Sequence, residues 1–289
     1  MNQSSADLPV ASLPVVVVPV GTDEDALDAC LAALDAGTPA GTRVWLADDA
    51  QAGPRATAVI EGWLRRTKLQ AAHTRRASPI GEAAHIDQAL RACGDADVAV
   101  LACDARPAPG WLERLAACLR DDARIATATP WSNAGEAAAW PRIGEVVAVP
   151  HAPAQLAAAC ARLKAASEEL PSATSHAVLL RGSARVAAGG LDASSFRSWY
   201  AALIDLSLRM SGLGWRNVLC VDAFVLRDGE GMPLDGDMDA LSVRWPGWHA
   251  RLARFLMDDP LRTLRAQLNA ELAQVSLPPS QSDLFAGGQ

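Results

Sequence analysis

Short unbroken apolar runs alternate with longer amphipathic stretches through the first third of the chain. Val15-Val16-Val17-Val18 is continuously β-branched, the signature of a strand buried on both faces. Pro19-Val20-Gly21-Thr22 ends it, and Asp23-Glu24-Asp25 puts carboxylates at the positive end of a helix. That helix is predicted over Ala26–Ala36, with Leu27, Leu31 and Leu34 on one face. Val44-Trp45-Leu46-Ala47 predicts a second strand, stopped by Asp48-Asp49, and helices are expected near Ala56–Arg66 and over Gly81–Cys93. Asp97 to Leu101 predicts a third buried strand ending at Ala102-Cys103-Asp104, and Pro109-Gly110-Trp111 opens a helix through Leu119.

This alternation implies a parallel sheet with right-handed crossovers. Ligands of such sheets sit at the carboxyl ends of the strands. Three polar points fall there: the Pro19–Thr22 turn, the Asp48-Asp49 pair and Asp104.

The middle is less regular. Thr127 to Asn133 reads as a strand running into a turn, Gln155–Glu169 as an alanine-rich helix, and Ala177–Leu180 and Val218–Val225 as strands. A helix is predicted from about Tyr200 to Met210. After Trp245 the period turns helical. Trp248, Leu252, Phe255 and Leu256 share one face, and Leu261, Leu264, Leu268 and Leu272 another, beyond the Asp259-Pro260 break. These faces either pack on the body or meet a partner protein or a second copy. The expected organisation is a flexible stretch over 1–12, an α/β domain over 13–230, a helical extension over 231–276 and a disordered tail over 277–289.

Length and charge narrow the class. The chain has 289 residues and a formal net charge of −7, which argues against a nucleic-acid partner. The basic cluster Arg65, Arg66, Lys68, Arg75 and Arg76 reads either as a solvated face or as a site for a diphosphate or acidic group. No CxxC pair or zinc-spaced His-Cys cluster occurs, so the six cysteines are expected to be free thiols in a reducing cytoplasm. No apolar run approaches the roughly 20 residues that cross a bilayer, and the amino terminus lacks a signal-peptide pattern. HExxH, P-loop and nucleophile-elbow patterns are missing from the sequence.

The order of four segments resembles inverting family 2 glycosyltransferases of GT-A fold, over roughly Leu13 to Gly229. They are Val15–Val20 with its acidic helix start; Leu46-Ala47-Asp48-Asp49; Leu101-Ala102-Cys103-Asp104 with Pro109-Gly110-Trp111-Leu112; and Pro130-Trp131-Ser132-Asn133 with Gly190-Leu191-Asp192 through Gly214-Trp215-Arg216. The resemblance implies a Rossmann-like, mostly parallel sheet flanked by helices, with a C-terminal helical extension. It implies a nucleotide-sugar donor, a glycan or polysaccharide acceptor and a divalent cation, manganese or magnesium, on the diphosphate. Carried over, Pro19, Val20, Asp48, Asp49, Gly81, Cys103 and Asp104 become nucleotide-binding candidates, and Asp104 a metal ligand.

The sequence departs from the family at the chemistry. An acid or asparagine usually stands two positions before the last aspartate of the metal motif, where this chain has Ala102. The base usually lies in an adjacent acidic pair, where this chain has Ala202-Leu203 followed by Ile204-Asp205. The histidine of the later Phe-Val-x-His is Arg227, a guanidinium able to hold a diphosphate without metal. Asp205 is the remaining candidate base, although it lies roughly 200° around the helix from the usual position. General-base catalysis is worth about 10²–10⁴-fold and one electrostatic stabiliser about 10²–10³-fold. Three readings stay open: a transferase with an unusual base or no metal, a domain that binds nucleotide or glycan without transfer, and a structural subunit.

Overall fold

A computed structural model describes residues 13–164 and 167–276. The expected flexible stretch over 1–12 and the expected tail over 277–289 lie outside the described residues. The strands are β1 (Val15–Pro19), β2 (Arg43–Asp48), β3 (Gln70–Arg75), β4 (Val98–Leu101), β5 (Ala105–Pro107), β6 (Ile125–Trp131), β7 (Glu168–Glu169), β8 (Ala177–Leu180) and β9 (Arg216–Arg227). The helices are α1 (Glu24–Gly37), α2 (Pro54–Leu64), α3 (Glu82–Ala92), α4 (Trp111–Asp121), α5 (Pro153–Cys160), α6 (Gly182–Ala187), α7 (Trp199–Gly212), α8 (Asp237–Arg244), α9 (Trp248–Asp258) and α10 (Arg262–Val275).

The strands join in the order β3-β2-β1-β4-β8-β6-β9-β5, with β7 on β9. β3, β2, β1 and β4 are mutually parallel. β8 runs antiparallel to β4 and β6, which restores the original direction in β6 and its parallel neighbour β9. This is the expected α/β architecture. The ends of β1, β2 and β4 therefore open on one edge, and the long β9 brings Arg227 to that edge through its antiparallel pairing with Ala105 of β5.

Alternation along β1 divides the core. Val16 and Val18 pack with Leu31 of α1, Trp63 of α2 and Trp111 of α4. Val15 and Val17 face the opposite side, with Ile86 of α3 and Phe196, Leu203 and Leu206 at α7. Each such buried side chain is worth about 1.5–3 kcal/mol, so both faces of the sheet must stay covered. A third cluster joins Trp131, Phe224 and Leu156 to Leu261, Leu268 and Leu272. The apolar face of α10 is thus spent on the body. On α9 Trp248 is buried, while Met257 is 81 % exposed.

One expectation is corrected, and one strand is new. The alanine-rich helix expected over Gln155–Glu169 ends at Cys160. Glu168 and Glu169 instead pair with β9, where Leu170 donates its amide to the Asn217 carbonyl at 2.9 Å and Arg216 holds Glu169 at 2.8 Å. Sheet hydrogen bonds win there over alanine's local preference for helix. β3 was not expected at all, because Gln70-Ala71-Ala72-His73-Thr74-Arg75 carries almost no apolar signal. It forms as an edge strand on β2, and its Arg75 reaches back to Asp48. The cysteines are free thiols, as expected. No helix among the described residues is long and apolar enough to cross a membrane.

Candidate functional site

A cleft of about 490 Å³ opens at this edge of the sheet. Pro19, Val20, Asp49, Gly81, Cys103, Asp104 and Arg227 all line it. Residues from β1, β2, the start of α3, the β4–β5 turn and the end of β9 thus converge although they are far apart in sequence. Gly21 passes so close to the β4–β5 turn that an added Cβ would lie 2.7 Å from the Cys103 sulfur. Burial, aided by the Asp104 charge, pushes the Cys103 thiol up to about 11.

Asp104 and Arg227 form the electrostatic centre. The Arg227 Nε donates to both carboxylate oxygens, at 2.8 and 3.0 Å. The Arg227 backbone is fixed by Asn133, whose Oδ1 accepts its amide and whose Nδ2 donates to its carbonyl, both at 2.8 Å. Its Nη1 is buried and has no hydrogen-bond partner among the described residues. A buried donor left unpaired is costly.

The donor set fits a divalent cation poorly. Asp104 is engaged by Arg227, position 102 is alanine, and the neighbouring thiol is held neutral. No three His, Cys, Asp or Glu side chains among the described residues are grouped to hold a metal ion.

Asp49 lines the cleft with its carboxylate committed to the backbone. It accepts the Ile80 amide at 2.9 Å and the Gly81 amide at 2.9 Å. Gly81 sits at φ +97, a conformation open to glycine, just before α3. The pair shapes the rim where α3 begins.

Asp48 and Asp205 are not brought to the cleft. Asp48 is wholly buried. Its Oδ1 accepts the Gln51 amide at 2.7 Å, and its Oδ2 pairs with Arg75 at 3.0 Å. Asp205 is also wholly buried, bonded to Arg209 at 2.8 Å, Trp245 Nε1 at 2.9 Å and Arg244 at 3.2 Å. Ala202 and Leu203, at the positions of the family's acidic pair, lie in the core.

Several cleft residues were missed from sequence. Glu82, His85, Ser175, Trp199 and Tyr200 line it as well. Burial raises Glu82 above the usual carboxylate range and lowers His85. Glu82 accepts the Trp199 amide at 2.9 Å. Ser198 caps α7 and is held in turn by Asp237 at 2.5 Å. Together they set the first turn of α7, and with it Tyr200, at the cleft wall. The sole tyrosine of the chain, at a capped helix start, was the available signal.

Glu136 lies in the turn after β6, in a short 3-10 turn. Burial, aided by the Glu230 charge, pushes Glu136 up to about 7. Burial also raises the Tyr200 phenol, which the Glu136 charge reinforces. An acid in the small-residue run Asn133-Ala134-Gly135-Glu136 carries no helical or strand period, so nothing in the sequence singled it out.

A sequence comparison with curated proteins finds no match. Among solved structures, GalNAc-T7 with UDP, GalNAc and Mn²⁺ superposes with a TM-score of 0.60 at 14 % identity, over 90 % of this chain and 55 % of that one. This chain therefore spans little more than half of that protein. The mannosyltransferase PcManGT of Pyrobaculum calidifontis, in complex with GDP-Man and Mn²⁺, gives 0.57 at 15 % identity, over 96 % of this chain and 79 % of that one. Residues 1–349 of S. aureus TarS in complex with UDP-GlcNAc give 0.51 at 14 % identity, over 94 % and 74 %. At these identities the likeness shows the fold, which is GT-A. The family model for glycosyl transferase family 2 matches residues 15–166. That match takes in β1 through α5, over half of the chain, with the β1, β2 and β4 edges of the cleft inside it, and the chain belongs to glycosyl transferase family 2.

Proposed function

We propose that the cleft binds a nucleoside-diphosphate sugar and transfers the sugar, with inversion, to a glycan hydroxyl, and that Arg227 takes the part usually played by a divalent cation. The observation that carries this reading is the Asp104–Arg227 pair: a fixed guanidinium with an unpaired buried Nη1 at the carboxyl edge of the sheet. A planar, always-charged fork suits a diphosphate and stabilises it as the leaving-group charge grows. Its companion Asp104 keeps it oriented. Pro19, Val20 and the Asp49-braced rim at Gly81 then border the nucleoside. Asp48 serves as a turn brace in this scheme.

Calorimetry with UDP, GDP and dTDP sugars tests it. Affinity is expected to be the same with manganese or with EDTA. Arg227→Met is expected to weaken binding about 10–100-fold, the worth of a charge-assisted hydrogen bond or two. Asp49→Ala is expected to weaken it by about 10-fold by releasing the Ile80 and Gly81 amides. Manganese-dependent binding that survives Arg227→Met would reject the metal-free scheme.

A second reading is favoured by Ala202 and Leu203 lying in the core and by Asp205 being tied to two arginines. In it the domain binds a nucleotide sugar without transfer. Donor binding with no turnover selects that reading.

A further inference from the structure

The acids that the family places on α7 are Ala202 and Leu203 here, and both lie in the core. A carboxylate still reaches that helix, from a different element. We propose that Glu82, at the start of α3, accepts the proton of the attacking hydroxyl in this chain. The proposal rests on the donor-sugar reading of the cleft.

Glu82 lines the cleft together with Asp104 and Arg227, and it is open to solvent, so a hydroxyl can reach it. Its Oε2 accepts the Trp199 amide at 2.9 Å, at the first residue of α7. Ala202 stands three residues further on, roughly 4.5 Å along the helix axis. The carboxylate thus sits at the end of the helix that bears the family's base position, in the cleft instead of the core. The bond to Trp199 uses one carboxylate oxygen and leaves Oε1 to take a proton.

The group is fixed on both flanks. On one, the Asp49 carboxylate accepts the Ile80 and Gly81 amides, both at 2.9 Å. On the other, the Ala83 amide donates to the Arg197 carbonyl at 3.1 Å. Arg197 and Ser198 donate their own amides to Asp237, at 2.8 and 3.0 Å. A base already in position needs no ordering when the substrate arrives.

The charged and titratable groups around it are Asp49 just after β2, His85 on α3, Tyr200 on α7, Asp104 and Arg227 across the cleft, and Asp237 of α8. Partial desolvation by the cleft walls holds the Glu82 carboxyl above its usual range. The Trp199 amide and Arg227 act against that rise, and Asp237 reinforces it. A carboxylate made more basic in this way is nearer the pH at which a general base works.

In the step, the acceptor oxygen bonds to the anomeric carbon as the bond from that carbon to the diphosphate oxygen breaks. Its electron pair leaves with the diphosphate beside Arg227. The acceptor proton passes to the Glu82 carboxylate and from there to bulk water. With water in place of the glycan, the product is the free sugar. With azide in its place, the product is the glycosyl azide, and there is no proton to remove.

Azide therefore separates a base from a brace. Hydrolysis of UDP-GlcNAc, UDP-GalNAc and GDP-Man by the full chain is measured beside donor affinity by calorimetry and urea unfolding. Glu82→Gln keeps an oxygen for the Trp199 amide, and is expected to keep the wild-type unfolding midpoint and a donor affinity within about 3-fold. Its hydrolysis rate is expected to fall about 10²–10³-fold and to lose the ascending pH limb of the wild type. Sodium azide is expected to restore diphosphate release to within about 10-fold of wild type, with glycosyl azide as the product. Glu82→Ala, which loses the brace as well, is expected to respond to azide in the same way at a lower unfolding midpoint. Wild-type hydrolysis by Glu82→Gln, an ascending limb that persists in it, or a rate loss that azide does not restore overturns the proposal. So does a wild type that binds donor without hydrolysing it. Each of these leaves the donor site standing. Failure of the wild type to bind any nucleotide sugar overturns the donor reading and this proposal with it.

Discussion

Asp205→Ala is expected to lower the unfolding free energy by about 3 kcal/mol and to leave donor affinity within about 3-fold of wild type. Its carboxylate is fully buried and holds Arg209, Arg244 and the Trp245 indole at once. Arg209 in turn donates to the carbonyls of Ala188 and Gly190, fastening the turn before α7. Arg244 also pairs with Asp192 at 2.8 Å, tying α8 to that turn. Removing one partner of a buried ion pair typically costs about 3–5 kcal/mol. The low end applies because both guanidinia are partly open to water, at 24 and 35 % side-chain exposure. Urea unfolding and calorimetry on the same preparation check it. An unchanged midpoint together with lost turnover at full donor affinity would restore Asp205 to the chemistry.

The pH dependence of stability offers a second large effect, from a buried and a part-buried group with opposite slopes. His176 is wholly buried, and burial, aided by the Arg227 charge, lowers it from 6.5 to about 3. Its Nε2 faces the Pro130 carbonyl at 3.1 Å, which can only accept, so the ring is neutral with its proton on Nε2 and accepts from Thr174 at 2.9 Å. Below 6.5 the unfolded chain takes a proton that the folded one refuses. The His176 contribution is thus present above 6.5 and is lost as pH falls toward 3. Glu136 behaves in the opposite sense. It is raised from 4.5 to about 7, so its contribution is present below 4.5 and is lost as pH rises through 7.

Between pH 4.5 and 6.5 the two slopes oppose each other, each amounting to about 3 kcal/mol across the window at 1.36 kcal/mol per pH unit. Relative to wild type, His176→Gln is expected to lose stability by about 3 kcal/mol as pH rises through that window. Glu136→Gln is expected to gain about as much. Urea unfolding at half-unit pH steps reads both. Profiles parallel to wild type would remove the lowered His176 and raised Glu136 assignments.

Much of the fold was legible because it is written in short-range pattern. The β-branched run at Val15–Val18 and the leucine spacing of α1 need no partner to be recognised. Both are buried where the pattern put them. Strand-helix alternation then determined that the polar ends of β1, β2 and β4 share an edge. That put the Pro19–Thr22 turn, the Asp48-Asp49 pair and Asp104 on one edge; Pro19, Asp49 and Asp104 line the cleft there, and Asp48 turns away from it. β3 and β7 were not legible, since an edge strand of polar residues is stabilised by pairing with a neighbour far away in sequence.

By itself, then, the sequence determined the parallel sheet, the edge that carries the cleft and the empty acid positions at Ala102, Ala202 and Leu203. The direction each charged side chain takes was decided only in three dimensions. Asp48 and Asp49 are adjacent, yet one braces a turn against Arg75 and the other borders the cleft, because successive residues at a strand end face opposite sides. Arg227 meets Asp104, and the Trp199 amide meets Glu82, across long stretches of intervening chain. Such pairs depend on how packed elements converge, and no local period in the residues records that.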